Sequence, residues 1–378
     1  MPDVLIWADN LRSPEMRHEV PVPVPDPLLY AEHEGRRCVM VTPFEISRLE
    51  HLPLELHPFE EFGYDELVAK LPREQVDLEL VVRACREFGI TDAVVPHAFP
   101  LEIADFLREH RVQVRSDREF FLQRRRVKNQ AELEGIRRAQ RGAEAGMNVV
   151  RDMLSRAARS NGILSLDGEP LTCERIKVAV EQAFSEHGVA AEEFIVSHGA
   201  QTAVGHEMGS GPIVPGEPVV ADLFPRARET GCFADMTRTF VAPGGEGTPE
   251  EMAEYQRLCR DALNRVVEAV KPGVRGRELY TIACELFEQH GYPTQLSKRP
   301  GEVLSNGFFH GLGHGVGLEV HEQPWIGRGP SELVAGDVIA VEPGLYRQGY
   351  GGCRLEDLVL VTGDGAELLT DFPYDLTP

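Results

Sequence analysis

Three histidines fall within twelve residues in the stretch Phe309-His310-Gly311-Leu312-Gly313-His314-Gly315-Val316-Gly317-Leu318-Glu319-Val320-His321-Glu322. Glycines at 311, 313, 315 and 317 alternate through it. A neutral imidazole nitrogen ligates metals, and the ring titrates near neutral pH. Glycine lets a backbone approach its neighbour closely. The stretch therefore reads as one wall of a metal or proton-transfer site, with the glycines leaving room for a peptide to lie against the backbone. Not all three histidines need bind metal, because such a site also uses a histidine to orient substrate or move a proton.

Carboxylates in apolar surroundings are the natural partners. Asp222 lies in Pro218–Phe224 and Asp235 in Phe233–Val241, two apolar segments that read as a hairpin turning over 226–231. Alternation places Asp222 with Val220 and Phe224, and Asp235 with Phe233, Thr237 and Thr239. A carboxylate within an apolar strand is costly unless it meets a cation. Glu342 ends the apolar run Asp337–Val341 just before a Pro343-Gly344 turn. Arg354 and Glu356, two apart in Cys353–Val361, share one side of a strand and Asp357 takes the other. A simple Arg354–Glu356 ion pair is the plainer reading of those two alone. Together, four carboxylates and one histidine suit Mn²⁺, Fe²⁺, Co²⁺ or Zn²⁺ better than a thiolate site would. Four acids exceed what one divalent ion with an open position needs. They fit a pair of ions about 3.5–4 Å apart, which activates a water and polarises a carbonyl.

Elements must bring these residues together across 130 positions. Residues 1–125 read as a small, partly parallel α/β sheet: strands at Cys38–Thr42, Asp92–Pro96 and Val112–Val114, and a helix over Leu101–Arg111. His18, His33, His51, His57, His97 and His110 stand isolated there and read as surface or core residues. Asn129 with Glu132 forms a capping box opening a long amphipathic helix, and the domain boundary falls at its entrance. A second helix carries Ile176, Ala179, Val180, Ala183 and Phe184 and stops at Gly188. Strands follow to about 242. Thr248-Pro249-Glu250-Glu251 reads as a capped start of a helix running to about Val270, and another helix spans about 275–290. Strands and glycine-rich turns complete an α+β second domain, 126–378.

Bulk properties exclude several classes. The length suits two domains. A net charge of -22 argues against nucleic acid as a partner. The basic cluster Arg124-Arg125-Arg126-Val127-Lys128 reads as a solvated helix entrance, since Glu132 and Glu134 follow. No apolar run is long enough for a membrane span, and the N-terminus has no basic region ahead of an apolar core, so no secretory signal is expected. Seven scattered cysteines point to reduced thiols and a cytoplasmic location.

The order Asp, Asp, His, Glu, Glu has a specific resemblance. Asp-Met-Thr-Arg-Thr at 235–239, the His310–Glu322 stretch, Val-Glu-Pro-Gly at 341–344 and Arg-Leu-Glu-Asp at 354–357 resemble the motifs of the pita-bread metallopeptidases. That family includes methionine aminopeptidase, Xaa-Pro aminopeptidase, prolidase and creatinase. Residues 1–125 resemble the N-terminal domain of its creatinase/prolidase branch. The resemblance implies a C-terminal pita-bread fold over 126–378 and metal ligands Asp222, Asp235, His314, Glu342 and Glu356. It implies that Glu342 also handles the proton of a bridging water. His206 and His321 match substrate-side histidines, the latter stabilising the tetrahedral intermediate. His310 and Arg354 match residues lining the proline and leaving-group side. The implied reaction is hydrolysis of an N-terminal Xaa-Pro bond, in a dipeptide or longer peptide, by attack of a metal-bridging hydroxide. The cofactor would be two divalent ions, manganese foremost with cobalt, zinc or iron as alternatives, and the assembly a homodimer. Twelve residues separate Asp222 from Asp235, two more than in the family, which preserves strand facing. The usual Asp-x-Gly is Asp222-Leu223-Phe224, and Cys232 replaces a tyrosine. The competing expectations are a creatinase-like amidinohydrolase on a small non-peptide substrate and a non-catalytic binding protein.

Overall fold

The computed structural model describes residues 2–378, and its internal contacts divide the chain into two units, Met1–Arg125 and Arg126–Pro378. The first unit is a six-stranded mixed sheet in the order 55–58, 36–41, 28–33, 3–8, 92–95, 113–116. The strands at 3–8, 28–33 and 36–41 pair antiparallel, and the outer ones join parallel. Its strands are apolar on both faces. Leu5, Leu29 and Met40 face one buried cluster, and Val4, Tyr30 and Val39 face another.

In the second unit the long helix spans Gln130–Arg156. Asn129 caps it by accepting from the Glu132 amide, and the Glu132 carboxylate accepts from the Asn129 amide, each at 2.9 Å. Its stripe of Ile136, Ala143, Met147, Val150 and Leu154 packs, with the helix Cys173–Glu186, on one side of the strands. The helices Glu250–Ala269 and Gly276–Gln289 pack on the other. The strand Val338–Val341 shows how the two cores share one backbone: Val338 and Ala340 enter the first cluster, Ile339 and Val341 the second. The Thr248 cap is not made. Pro249 takes the cap position without a side-chain bond, so that start rests on proline's preset φ and on Glu250 and Glu251 in the first turn.

Three sheets carry the candidate residues. One orders the strands 195–198, 218–223 and 236–241; a second orders 322–326, 313–315, 338–341, 357–361 and 366–368; a third orders 306–307, 344–347 and 351–354. The hairpin's return strand starts at Met236, later than Phe233: Phe233 keeps only an isolated bridge to Arg226, and Arg226–Ala227 pairs on its other side with Val189–Ala190.

The alternating glycines serve the sheet itself. A Cβ at Gly313 would stand 1.9 Å from the Ala340 carbonyl oxygen, and one at Gly315 would stand 2.1 Å from that of Gln323. At these two positions the room expected for a peptide is filled by neighbouring strands, whereas a Cβ at Gly311 would meet only the Ile326 carbonyl oxygen at 3.5 Å, an ordinary contact. Gly313→Ala is accordingly expected to destabilise the unit by about 3 kcal/mol, the upper range for overpacking. A thermal melt matching wild type would contradict this.

Candidate metal centre

Strand register brings the two aspartates together. Asp222 pairs directly with Thr237, so the two share a face. Asp235 precedes Thr237 by two residues and falls on that face as the diagonal neighbour of Asp222. The two glutamates occupy equivalent places. Val338–Val341 belongs to one sheet and Gly344–Arg347 to another, with Glu342-Pro343 at the crossing. Gly351–Arg354 and Asp357–Val361 cross back, with Leu355-Glu356 between them. Pro343 interrupts the strand without a reverse turn, and Arg354 ends its strand while Glu356 lies in the crossing, bridged to Thr237. At these crossings the carboxylates leave the ladders and enter the space between sheets. His314 reaches the same space from the middle of the short strand Gly313–Gly315, which is flanked by the strands 322–326 and 338–341.

One cavity of about 630 Å³ is lined by Asp222, Asp235, His314, Glu342 and Glu356, and also by His206, His310, His321 and Arg354. Every site residue expected from the sequence therefore faces it. Ligand atoms of Asp222, Asp235 and Glu356 lie within 4.8 Å of one another, as do those of His314, Glu342 and Glu356, and those of Asp235, His314 and His321. His314 Nε2 is 3.7 Å from both Asp235 Oδ2 and Glu342 Oε1. Its ring meets that of His321 edge-on at 4.3 Å. His310 Nδ1 is 3.8 Å from Glu342 Oε2.

Arg354 pairs with Asp222, not Glu356: Nη2 donates to Oδ2 at 2.6 Å. It also donates to the Thr237 hydroxyl and the Tyr346 hydroxyl, each at 3.2 Å. Tyr346 bonds His310 Nε2 at 2.8 Å, and Thr237 donates to Glu356 at 2.7 Å. Thr237 and Tyr346 did not emerge as site residues from the sequence. Thr237 carried a usable signal, since it shares a strand face with Asp235. Tyr346 carried none, because its role depends on a sheet crossing. Asp357 points away, into an ion pair with Arg238 at 2.8 Å.

Too many carboxylates meet here for the cations present. Burial, with the charges of Glu356, Asp222 and Glu342, holds Asp235 well above the usual carboxylate range. Burial, with Asp222 and Glu342, does the same for Glu356. Burial raises Glu342 to about 8 against the pull of Arg354. Burial lowers His314 to about 4, with a contribution from His321, which leaves the imidazole neutral as a metal ligand must be. Asp222 Oδ1 and Asp235 Oδ1 are buried without a hydrogen-bond partner. Orphaned oxygens and mutually repelling acids are a donor set short of positive charge, and divalent ions fit it.

One further group with metal-type donors occurs among the described residues: Cys38, Glu55 and His57, in the first unit. There Glu55 is already held by Arg36 through both oxygens, at 3.1 and 2.6 Å, and His57 by Glu61 at 2.8 Å. All seven cysteines are free and buried.

The chain is similar to several known proteins. An Xaa-Pro dipeptidase of Pyrococcus furiosus is 37% identical over 206 residues, which is 53% of this chain and 54% of that protein. The chain thus spans about half the length of such curated relatives in the matched region. Among solved structures, a prolidase from Pyrococcus horikoshii superposes with a TM-score of 0.75 at 23% identity, over 100% of this chain and 95% of that one. An X-Pro aminopeptidase from Thermotoga maritima gives 0.76 at 22%, over 98% and 96%. These likenesses show the fold, the α+β pita-bread architecture. No helix of the described residues is long and apolar enough to cross a membrane. The sequence profile of metallopeptidase family M24 matches residues 134–363, a span that holds every residue of the cavity's acidic cluster, and the chain belongs to that family.

Proposed function

We propose that this protein is a metal-dependent peptidase that hydrolyses the bond between an N-terminal residue and proline. The observation that carries the reading is the sharing of Glu356 by two ligand groups, one with Asp222 and Asp235 and one with His314 and Glu342. Such a donor set would suit two adjacent divalent ions, with Glu356 able to serve either. Such oxygen-rich donors suit manganese, with the metal supplied deciding occupancy. Bound there, the ions would supply a water of lowered pKa and polarise the scissile carbonyl.

The chain's own residues do the rest. Glu342 lies at the cavity wall between His310 and His314, where a carboxylate can take a proton from the attacking water and pass it to the leaving nitrogen. His321 and His206 are exposed side chains on the same cavity, placed to donate hydrogen bonds to the substrate and to charge developing on its carbonyl oxygen. Phe309 and His310 line the cavity with the buried Tyr346 behind them, ring centroids of His310–Tyr346 lying at 5.4 Å and of Phe309–Tyr346 at 5.1 Å. Apolar ring surface of this kind suits a pyrrolidine ring. The creatinase-like and non-catalytic alternatives both expect a thinned ligand set, and here all five side chains converge.

The test is an assay of Ala-Pro, Ala-Pro-Ala and Met-Ala-Ser with added Mn²⁺. Cleavage of a proline peptide well above Met-Ala-Ser is expected. Cleavage of Ala-Pro alone assigns a dipeptidase, and cleavage of Ala-Pro-Ala assigns an aminopeptidase. No hydrolysis of any peptide sinks the proposal. His321→Ala is expected to lower kcat by roughly 10²-fold, the scale of one lost oxyanion donor, with bound metal unchanged. Loss of metal in that variant would show that His321 is a ligand instead.

A further inference from the structure

The segment Arg126-Val127-Lys128, at the start of the second unit, is not the solvated helix entrance its charge suggests. Arg126 grips Asp337, with Nε on Oδ1 at 2.8 Å and Nη2 on Oδ2 at 2.9 Å, and Asp337 is fully buried. The Lys128 amide donates to the Gly336 carbonyl at 3.2 Å. The Lys128 ammonium donates to the Arg126 carbonyl at 3.0 Å and pairs with the Glu322 carboxylate. The Lys128 and Glu322 side chains are 2% and 3% exposed. The segment therefore joins the first residue of the strand Glu322–Ile326 to the residues leading into Val338–Val341. Those two strands flank the His314 strand, and Gly315 pairs with both Glu322 and Ile339 at the joined end.

Glu322 follows His321 directly. The turn between the two cavity histidines is tied at each step: Val316 N to Val338 O at 2.9 Å, Phe233 N to Gly317 O at 2.8 Å, Gly317 N to Glu319 O at 3.0 Å, and Glu319 N to the Glu322 carboxylate at 3.4 Å. Gly317 belongs to the same device, since a Cβ there would stand 2.5 Å from Glu322 Oε1 and 2.8 Å from Lys128 Cε. The exposed His321 side chain packs only edge-on against the His314 ring at 4.3 Å, and this turn carries the backbone of both residues. A buried ion pair is a poor stabiliser compared with apolar residues of similar volume, and its best attested use is to impose one arrangement.

We propose that Lys128 and Glu322 are positioning residues that fix the His314–His321 turn and hold the His321 imidazole in its working place. The proposal rests on the reading of His321 as a substrate-side group. Lys128→Met alone leaves the buried Glu322 carboxylate without its ammonium partner and is expected to fold poorly. The informative variant is Lys128→Met with Glu322→Met, which removes both charges. It should melt close to wild type and bind wild-type amounts of Mn²⁺. Its kcat on the proline peptide should fall about tenfold or more, the scale of a misplaced catalytic group, with KM little changed. In a His321→Ala background the same pair of changes should cost no further kcat. Histidine Cε1–H resonances give a readout that needs no turnover: the double variant should shift or broaden the His321 signal and leave His33 unchanged. Wild-type kcat in the double variant, a loss that multiplies with that of His321→Ala, or an unmoved His321 resonance would each overturn the inference. A wild-type protein that cleaves no peptide but whose His321 resonance responds to pair deletion would overturn the functional reading and leave the positioning role standing.

Discussion

Asp235→Ala is expected to abolish proline-peptide hydrolysis while leaving the protein folded. Asp235 belongs to two of the three ligand groups, with Asp222 and Glu356 on one side and with His314 and His321 on the other. Its loss should weaken both halves of the site. Metal polarisation of a carbonyl is worth several kcal/mol, and about 1.4 kcal/mol is tenfold in rate. A loss of roughly 10³-fold or more follows. The stability outcome separates this from misfolding. Burial first, and then repulsion by Glu356, Asp222 and Glu342, raises the pKa of Asp235. Deleting it relieves that repulsion, so the metal-free variant should melt at or above the metal-free wild type. Activity within tenfold of wild type would remove Asp235 from the ligand set.

Mn²⁺ is expected to raise the melting temperature, and to raise it more at pH 8 than at pH 5.5. Glu342 has a folded pKa of about 8 against an ordinary 4.5. Between those values the unfolded chain binds fewer protons than the folded one, so stability falls as pH rises through the window. Asp235 and Glu356 move in the same direction through burial and mutual repulsion. His310 and His314 are lowered to about 3 and 4, chiefly by burial, so they stay neutral in the fold. Their contribution is present above the ordinary value of 6.5 and is lost as pH falls below it. The metal-free protein is thus weakened from both sides. Metal reverses the alkaline loss, because it binds carboxylates that have lost their protons. At metal concentrations about a thousandfold above Kd the gain is about 4 kcal/mol, or roughly 10 °C for a domain of this size. A gain that is flat with pH, or larger at pH 5.5, would contradict a carboxylate-rich site.

What the sequence revealed and what it hid divide along sequence separation. Asp222 and Asp235 stood out because each is a charge set in an apolar run, an anomaly visible within a few residues, whereas Glu342 and Glu356 read alone as a strand end and an ion pair and joined the candidate set through the family resemblance. The long helix was legible from Asn129 and Glu132, whose capping bonds are local. The glycines at 313 and 315 were misread because the atoms they accommodate, at Gln323 and Ala340, belong to other strands. The cluster around Arg126 and Lys128 was misread for the same reason: Glu132 and Glu134 are close in sequence, but the true partners Glu322 and Asp337 lie about two hundred positions away. The Arg354–Asp222 pair replaced the neighbouring Arg354–Glu356 pair because Arg354 ends its strand against the one that carries Asp222, and Glu356, in the crossing, is held by Thr237 instead. Periodicity reads faces within one strand. It does not report where a strand changes sheets.

The most direct test of the central claim is a titration of EDTA-stripped protein with Mn²⁺, following bound metal and hydrolysis of Ala-Pro and Ala-Pro-Ala in the same samples. Read as holding two ions, the five convergent side chains predict no activity without metal and a rise that saturates at two equivalents per chain. Full activity in the stripped protein, or saturation without any metal bound at Asp222, Asp235, His314, Glu342 and Glu356, would contradict it.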